Sequence, residues 1–252
     1  MYEKVIDESM DCKIYSACPD FQKNTNIIYV PGFGSVGKSK AQIVQKITDT
    51  NPDANVVTFL YKSHQDDSLK NLENDLSDLG QVVNRLQDFD IAKEDVGFLS
   101  LCYGAYLTAL HLSQNEGHKY AIMIEPFLGK KSLKPLANTV YRTGELLSSM
   151  GLKKLPFSKR HYDKLASVDC DSLFKATAID VPTVYGTPLL AMSVDYHAFL
   201  NTEYIRGWTE ASGGIFKHLN GKEKECKIHQ IINEVKCFQK VHKNEYAKIT
   251  YN

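Results

Sequence analysis

The sequence predicts an α/β fold in which a mostly parallel sheet is flanked by helices. Apolar runs such as Asn26–Val30 and Tyr120–Ile124 are too short for helices and are bounded by polar or turn residues, as buried strands are. Other segments carry apolar residues at spacings of three and four, the period of an amphipathic helix. The two kinds of segment alternate along the chain, which favours parallel strands joined by helical crossovers.

The first half of the chain shows this alternation most regularly. It opens with two loosely alternating segments that predict a hairpin. The predicted elements are hairpin strands at Glu3–Asp7 and Asp11–Ala17, a strand at Asn26–Val30, a helix at Lys38–Thr48, a strand at Asn55–Tyr61, a helix at Asp67–Gln87, a strand at Val96–Leu101, a helix from about Ala105, and a strand at Tyr120–Ile124.

The pattern loosens after Pro126. Leu128–Lys175 is rich in lysine and is interrupted by Pro135, Gly151 and Pro156, which predicts short helices. The remaining predicted elements are strands at Pro188–Met192 and Gly214–Leu219 and a closing helix at Glu223–Val241.

Composition places the chain among ordinary globular proteins. Lysine plus arginine and aspartate plus glutamate each number 30, so no basic surface for nucleic acid or membranes is predicted. We expect no signal peptide and no membrane span, because no apolar run is long enough. The six cysteines are scattered without a C-x-x-C pair. This favours reduced thiols in the cytoplasm over disulfides or a zinc site.

The predicted strand Val96–Leu101 turns almost directly into a helix. The connecting residues are Ser100-Leu-Cys102-Tyr-Gly104, with small residues two before and two after Cys102. A tight turn between strand and helix needs small residues because the backbone is crowded there and φ can be positive. The turn therefore predicts that Cys102 is presented at the N-terminus of a helix.

This turn resembles the nucleophile elbow of the α/β-hydrolase family, whose pattern is G-x-S-x-G. Ser100 stands in place of the first glycine and Cys102 in place of the serine, as in dienelactone-hydrolase-like, thioesterase-like or acyltransferase-like members. The resemblance implies a single α/β-hydrolase domain over residues 1–252, with a helical cap inserted at about 128–178. A helix N-terminus also favours a thiolate, so we expect a lowered pKa for Cys102.

The resemblance also implies a base and an orienting acid, in the chain order nucleophile, acid, histidine. His218 occupies the family's histidine position, between the last strand and the closing helix, and His197 is the alternative. Asp195 is the predicted acid. Asp180 is the alternative if the strand is Pro182–Tyr185 instead.

The family's oxyanion hole uses two backbone N–H groups. One belongs to the residue after the nucleophile, which is Tyr103 here. The other belongs to the loop after an earlier strand, which points to Phe33 in Pro31-Gly-Phe33-Gly34. The glycines of this loop allow a close approach to the cleft.

The same loop matches a different motif. Gly32–Ser39 reads G-x-x-x-x-G-K-S, the phosphate-binding P-loop, and lies between a predicted strand and a predicted helix. A P-loop enzyme usually has a later strand ending in aspartate to hold magnesium, whereas the best strand here, Tyr120–Ile124, is followed by Glu125. The P-loop would also leave the elbow unexplained.

The predicted function is acyl transfer by a thioesterase, esterase or acyltransferase. Cys102 attacks a carbonyl, His218 moves the proton, Asp195 orients His218, and an acyl-cysteine intermediate forms. The expected partner is a small-molecule ester or thioester, either free or attached to a carrier. We expect no cofactor, metal or nucleic acid. The alternatives are a non-catalytic binding protein of the same fold and a nucleotide-binding protein.

Overall fold

A computed structural model describes residues 1–17, 19, 21, 25–32, 38–61, 72–134, 180–194, 200–219 and 224–249. The predicted cap at about 128–178 lies outside the described residues apart from its first seven. Leu133, one of these seven residues, forms an isolated bridge with Leu200. This bridge ties the start of the insertion to the second half of the fold.

A single eight-stranded sheet forms the centre of the structure. The strands are β1 (Tyr2–Asp7), β2 (Cys12–Ser16), β3 (Thr25–Val30), β4 (Ala54–Thr58), β5 (Val96–Leu101), β6 (Tyr120–Ile124), β7 (Leu189–Val194) and β8 (Ile215–Leu219). Their order across the sheet is β1-β2-β4-β3-β5-β6-β7-β8. β2 pairs antiparallel with β1 and β4, and all other neighbours pair in parallel. The predicted mostly parallel sheet is therefore confirmed.

Helices cover both faces of this sheet. In the described part of the chain they are α1 (Lys38–Thr50), α2 (Leu72–Gln87), α3 (Tyr103–Gln114), α4 (Thr202–Ala211) and α5 (Lys224–Ile249). Side chains of α2, α3 and α4 share one apolar core with one face, and those of α1 and α5 share a second core with the other. None of the described helices is both long and apolar enough to cross a bilayer.

Helix α4 is the element that the sequence analysis missed. It is ten residues long and mostly polar, and its buried residues are Ile205, Trp208 and Thr209, so few apolar residues mark it in the sequence. The local signal lies in its first residues, because the side chain of Asn201 caps the helix and accepts a hydrogen bond from the N–H of Tyr204 at 3.2 Å.

The register of the parallel strands places four polar residues in one row. Leu101, Ile124, Met192 and Lys217 are paired neighbours across β5, β6, β7 and β8. The next residue on each strand path is Cys102, Glu125, Ser193 and His218, of which Ser193 and His218 are themselves paired. All four lie at the carboxyl edge of the sheet, where parallel α/β folds build their sites.

Candidate active site

Cys102 occupies the turn between β5 and α3, with φ 47° and ψ −111°. A positive φ is unusual for a residue other than glycine, and such a position costs about 1–3 kcal/mol. The backbone on the neighbouring strand holds this conformation: the N–H of Cys102 donates to the carbonyl of Ile124 at 3.0 Å, and its carbonyl accepts from the N–H of Phe127 at 3.3 Å. The strand–turn–helix geometry predicted around Cys102 is confirmed.

The small residues on either side of Cys102 have different structural reasons. A Cβ atom at Gly104 would lie 2.6 Å from the carbonyl oxygen of Pro31, closer than real contacts allow, so only glycine fits where α3 meets the end of β3. Ser100 is fully buried and donates its hydroxyl to the carbonyl of Ile122 at 3.3 Å. A serine is accepted in place of the first glycine because this hydroxyl is satisfied.

The two predicted oxyanion positions can be placed only in part. Tyr103 is the first residue of α3, and its backbone N–H contacts the thiol of Cys102 as a hydrogen-bond donor. Phe33 lies outside the described residues, but Gly32 immediately before it runs beside the turn. A Cβ atom at Gly32 would lie 3.5 Å from Cβ of Cys102. Gly32, at the start of the segment after β3, therefore lies next to Cys102.

Burial dominates the electrostatics of the thiol. Burial, opposed by the N–H of Tyr103 and reinforced by the nearby charge of Glu125, raises the pKa of Cys102 to about 11. The expectation of a lowered pKa at the helix N-terminus is wrong, because removing the thiolate from water outweighs the helix terminus. The residue as a whole has intermediate exposure.

Glu125 is a residue of this site that sequence reasoning missed. It follows β6 directly, is only 6% exposed and has φ 50°. Its N–H donates to the carbonyl of Met192 at 2.8 Å, which anchors it to β7. Ile124 and Phe127, close to it in the chain, both bond to the backbone of Cys102. The sequence signal for this residue was its place directly after a buried strand of the predicted parallel sheet.

The ring of Tyr103 is anchored away from the cleft. Its hydroxyl donates to a carboxyl oxygen of Asp75 on α2 at 2.9 Å, and both residues are buried. The rings of Tyr61 and Tyr106 lie on either side at centroid distances of 6.5 and 6.2 Å. Burial and the Asp75 carboxylate raise the pKa of the Tyr103 hydroxyl, so it stays a donor. This anchor fixes the first turn of α3.

His218 lies within β8 and its side chain is exposed. It shares the row of Cys102 but is separated from it by three strand spacings, roughly 14 Å between backbones at about 4.8 Å per strand. The structure therefore places both residues at one edge of the sheet, with two strands between them.

The predicted acids have different outcomes. β7 ends at Val194, directly before Asp195, but Asp195 and His197 lie outside the described residues. The alternative assignment of Asp180 depended on a strand at Pro182–Tyr185, and that strand is wrong, because the strand in this region is β7. Asp180 instead forms an ion pair with Lys131, 2.6 Å from carboxylate to ammonium, at an exposed position.

No metal-binding group is found in the parts of the chain that the structure describes: none of their histidine, cysteine, aspartate and glutamate side chains form a set of three or more suited to an ion. Most of the P-loop match, residues 33–37, lies outside these parts. Lys38 begins α1, so the strand and helix that flank the motif are present.

No protein-family model and no curated protein matches the sequence. Solved structures do resemble it. An esterase of the Planctomycetes species Thermogutta terrifontis with butyrate bound is 14% identical, covers 94% of this chain and 92% of its own, and has a TM-score of 0.60. The α/β hydrolase GrgF of Penicillium sp. sh18 is 11% identical, with coverage of 92% and 93% and a TM-score of 0.61.

A third similar structure is the carboxylesterase EstE1, cloned from a metagenomic library. It is 14% identical, covers 91% of this chain and 83% of its own, and has a TM-score of 0.57. Similarity over nearly the whole chain at such identities establishes the fold. The chain has the α/β-hydrolase fold predicted from its elbow.

Proposed function

We propose that the protein is an ester or thioester hydrolase that works through an acyl-cysteine intermediate on Cys102. The observation that carries this proposal is the strained backbone of Cys102 at the end of β5, with the N–H of Tyr103 directed at its sulfur. Strained positions of this kind cluster at sites of function. The fold of known esterases supports the same class of reaction.

In the proposed reaction the thiol attacks the acyl carbonyl and the N–H groups of Tyr103 and Phe33 receive the oxyanion. Backbone donors at a helix N-terminus suit this task because they point at the developing negative charge without needing to reorient. The alcohol or thiol then leaves, and water releases the acyl group from Cys102. An acyltransferase would use another acceptor in place of water.

The sequence assigns the proton transfer to His218, oriented by Asp195, with His197 as the alternative base. Asp195 directly follows β7, two strand spacings from β5, and His218 lies one strand further. These assignments stay predictions. Replacing His218 and His197 separately by alanine tests them: a loss of about 100-fold or more in one variant identifies that histidine as the base, and no such loss in either leaves the role to another group.

Hydrolysis of p-nitrophenyl butyrate and of a butyryl thioester tests the proposal as a whole. Butyrate is chosen because it is bound in the similar Thermogutta esterase. We expect turnover by the wild-type chain and a loss of several powers of ten in Cys102→Ala. Peptide mapping of a rapidly quenched reaction should find butyryl on Cys102. Full activity in Cys102→Ala would remove Cys102 from the mechanism.

A non-catalytic role for the same fold is the second candidate. The raised pKa of Cys102 favours it, because a thiol that stays protonated at neutral pH is a poor nucleophile without a base. Absence of turnover on both substrates, together with unreactive Cys102, would support this role.

A further inference from the structure

The proposed reaction requires a proton acceptor close to the sulfur. With its pKa near 11, the thiol of Cys102 cannot rely on being ionised in advance, so the proton has to leave during the attack. A general base must come within hydrogen-bond reach of that proton. The backbone of His218 lies three strand spacings from that of Cys102, whereas a residue following β6 lies one spacing away.

Glu125 is the titratable residue that the strand register puts beside Cys102. β5 and β6 are neighbours, and the two residues stand one position beyond the paired Leu101 and Ile124. The separation is therefore one strand spacing, about 4.8 Å between backbones. The bonds from Cys102 to Ile124 and Phe127 fasten the turn of Glu125 against the nucleophile from both sides.

The surroundings of Glu125 also fit a role in chemistry. Its side chain is almost fully buried, and its backbone has a positive φ that a non-glycine residue rarely adopts. Burying a carboxyl group costs free energy, and so does holding its backbone in a strained conformation. Strained positions of this kind cluster at functional sites. Among the described residues, polar groups near this edge include the hydroxyl of Tyr103, which is bonded to Asp75, and Ser193 and His218, which are paired across β7 and β8.

We propose that Glu125 exchanges a proton directly with Cys102 during acyl transfer. This inference rests on the proposed function, since it needs Cys102 as the nucleophile. As the C–S bond forms, the S–H bond breaks and the proton passes to the carboxylate of Glu125. When the alcohol leaves, the C–O bond breaks and Glu125 returns the proton to the alcohol oxygen.

Deacylation repeats the transfer with water. Water attacks the acyl carbonyl while Glu125 takes one of its protons. The C–S bond then breaks, the acid is released, and the proton returns to the sulfur. The carboxyl group is thus a base in each attack and an acid in each departure, and no redox partner is needed.

The test compares Glu125→Gln and Glu125→Asp with Cys102→Ala and with a control, Glu116→Gln, which alters an exposed glutamate in the loop before β6. Each protein hydrolyses p-nitrophenyl butyrate, whose leaving group needs no acid, and methyl butyrate, whose leaving group does. The rate of Cys102 alkylation by iodoacetamide is measured from pH 6 to 10.

We expect Glu125→Gln to lower kcat about 100-fold or more with little change in KM. The loss should be larger for methyl butyrate, and Glu125→Asp should fall between Gln and wild type. Removal of the negative charge should at the same time shift alkylation of Cys102 to lower pH. A thiol that ionises more easily in a slower enzyme is a signature that a purely structural glutamate does not produce.

Turnover within threefold of wild type in Glu125→Gln, while Cys102→Ala is inactive, would overturn this inference and leave the proposed function standing. Equal losses on both esters with an unchanged alkylation profile would also overturn it. If Glu125→Gln does not fold, the same comparison of turnover and alkylation is made with Glu125→Asp. A wild-type protein with no Cys102-dependent turnover would overturn the proposed function and this inference together.

Discussion

The hydroxyl of Tyr103 donates a hydrogen bond of 2.9 Å to Asp75, and this bond joins α3 to α2 beneath the turn that carries Cys102. Tyr103 thus has two separate parts in the structure. Its ring anchors the helix start, and its backbone N–H lies at the sulfur. Side-chain and backbone roles can therefore be separated by mutation.

Tyr103→Phe should lower the free energy of unfolding by about 1–3 kcal/mol, because a buried carboxyl group of Asp75 loses a donor. The backbone N–H is retained, so ester turnover of the folded fraction should change much less. Urea unfolding followed by fluorescence measures the first effect. Tyr185→Phe, which removes a hydroxyl from a residue 61% exposed, is the control and should stay within about 0.5 kcal/mol of wild type. Equal effects of the two changes would contradict the anchor.

Gly104→Ala should destabilise the protein by about 3 kcal/mol or more, because the added methyl meets the carbonyl oxygens of Val30 and Pro31. Those atoms are backbone at the end of β3 and cannot move aside cheaply. Gly80→Ala in α2 is the matched control, since nothing lies within 4 Å of its added methyl. That change should stabilise by about 1 kcal/mol through helix propensity. Thermal unfolding measures the stability of both variants. A Gly104→Ala variant as stable as wild type would refute the close approach of α3 to the end of β3.

Iodoacetamide should label Cys102 slowly at neutral pH. With a pKa near 11, roughly one thiol in a thousand is ionised at pH 8. The exposed Cys237 should react well before it. Mass spectrometry of the labelled peptides measures both rates. Preferential labelling of Cys102 at pH 6 would instead restore the thiolate expected from the helix N-terminus alone.

Acid should destabilise the protein through two buried histidines. Burial, together with the positive charge of Lys93, lowers the pKa of His111 to about 4. Burial, together with the positive charges of His111 and Lys93, lowers the pKa of His118 to about 3. An unfolded histidine titrates near 6.5. The unfolded chain therefore binds more protons in this window, so the stabilisation is complete above about pH 6.5 and is lost as the pH falls toward 4 and 3.

Each of these histidines should add a slope of about 1.4 kcal/mol per pH unit to the unfolding free energy below pH 6. Urea midpoints at pH 7.0, 6.0 and 5.5 measure this slope. It should be smaller in His111→Leu and in His118→Leu, whatever their stability at pH 7. An unchanged slope in both variants would show that the pair is not held neutral by burial.

The fold could be predicted from the sequence because its core strands and helices carry strong apolar patterns. β5 and β6 were predicted at Val96–Leu101 and Tyr120–Ile124, the bounds observed. The elbow was readable because glycine and small residues mark a crowded turn. α4 was missed because it is short and has few apolar residues.

The site was less predictable, because its chemistry depends on neighbours across the sheet. Glu125 is distant from Cys102 in the sequence, and only the pairing of β5 with β6 makes them adjacent. The predicted direction of the pKa shift of Cys102 was wrong for a similar reason. The sequence shows the helix N-terminus, but the burial that outweighs it comes from packing around the turn.

The packing of α5 has a consequence for the order of events during synthesis. Its residues Val235 and Phe238 complete the second core against β6, β7 and β8, and Gln239 donates to the hydroxyl of Tyr120 at 2.7 Å. The chain is made from its N-terminus, so one apolar face of β6 stays without this cover until more than a hundred further residues have been translated. Ribosome-bound nascent chains that stop before Val235 should therefore expose that face and bind chaperones that recognise apolar strands.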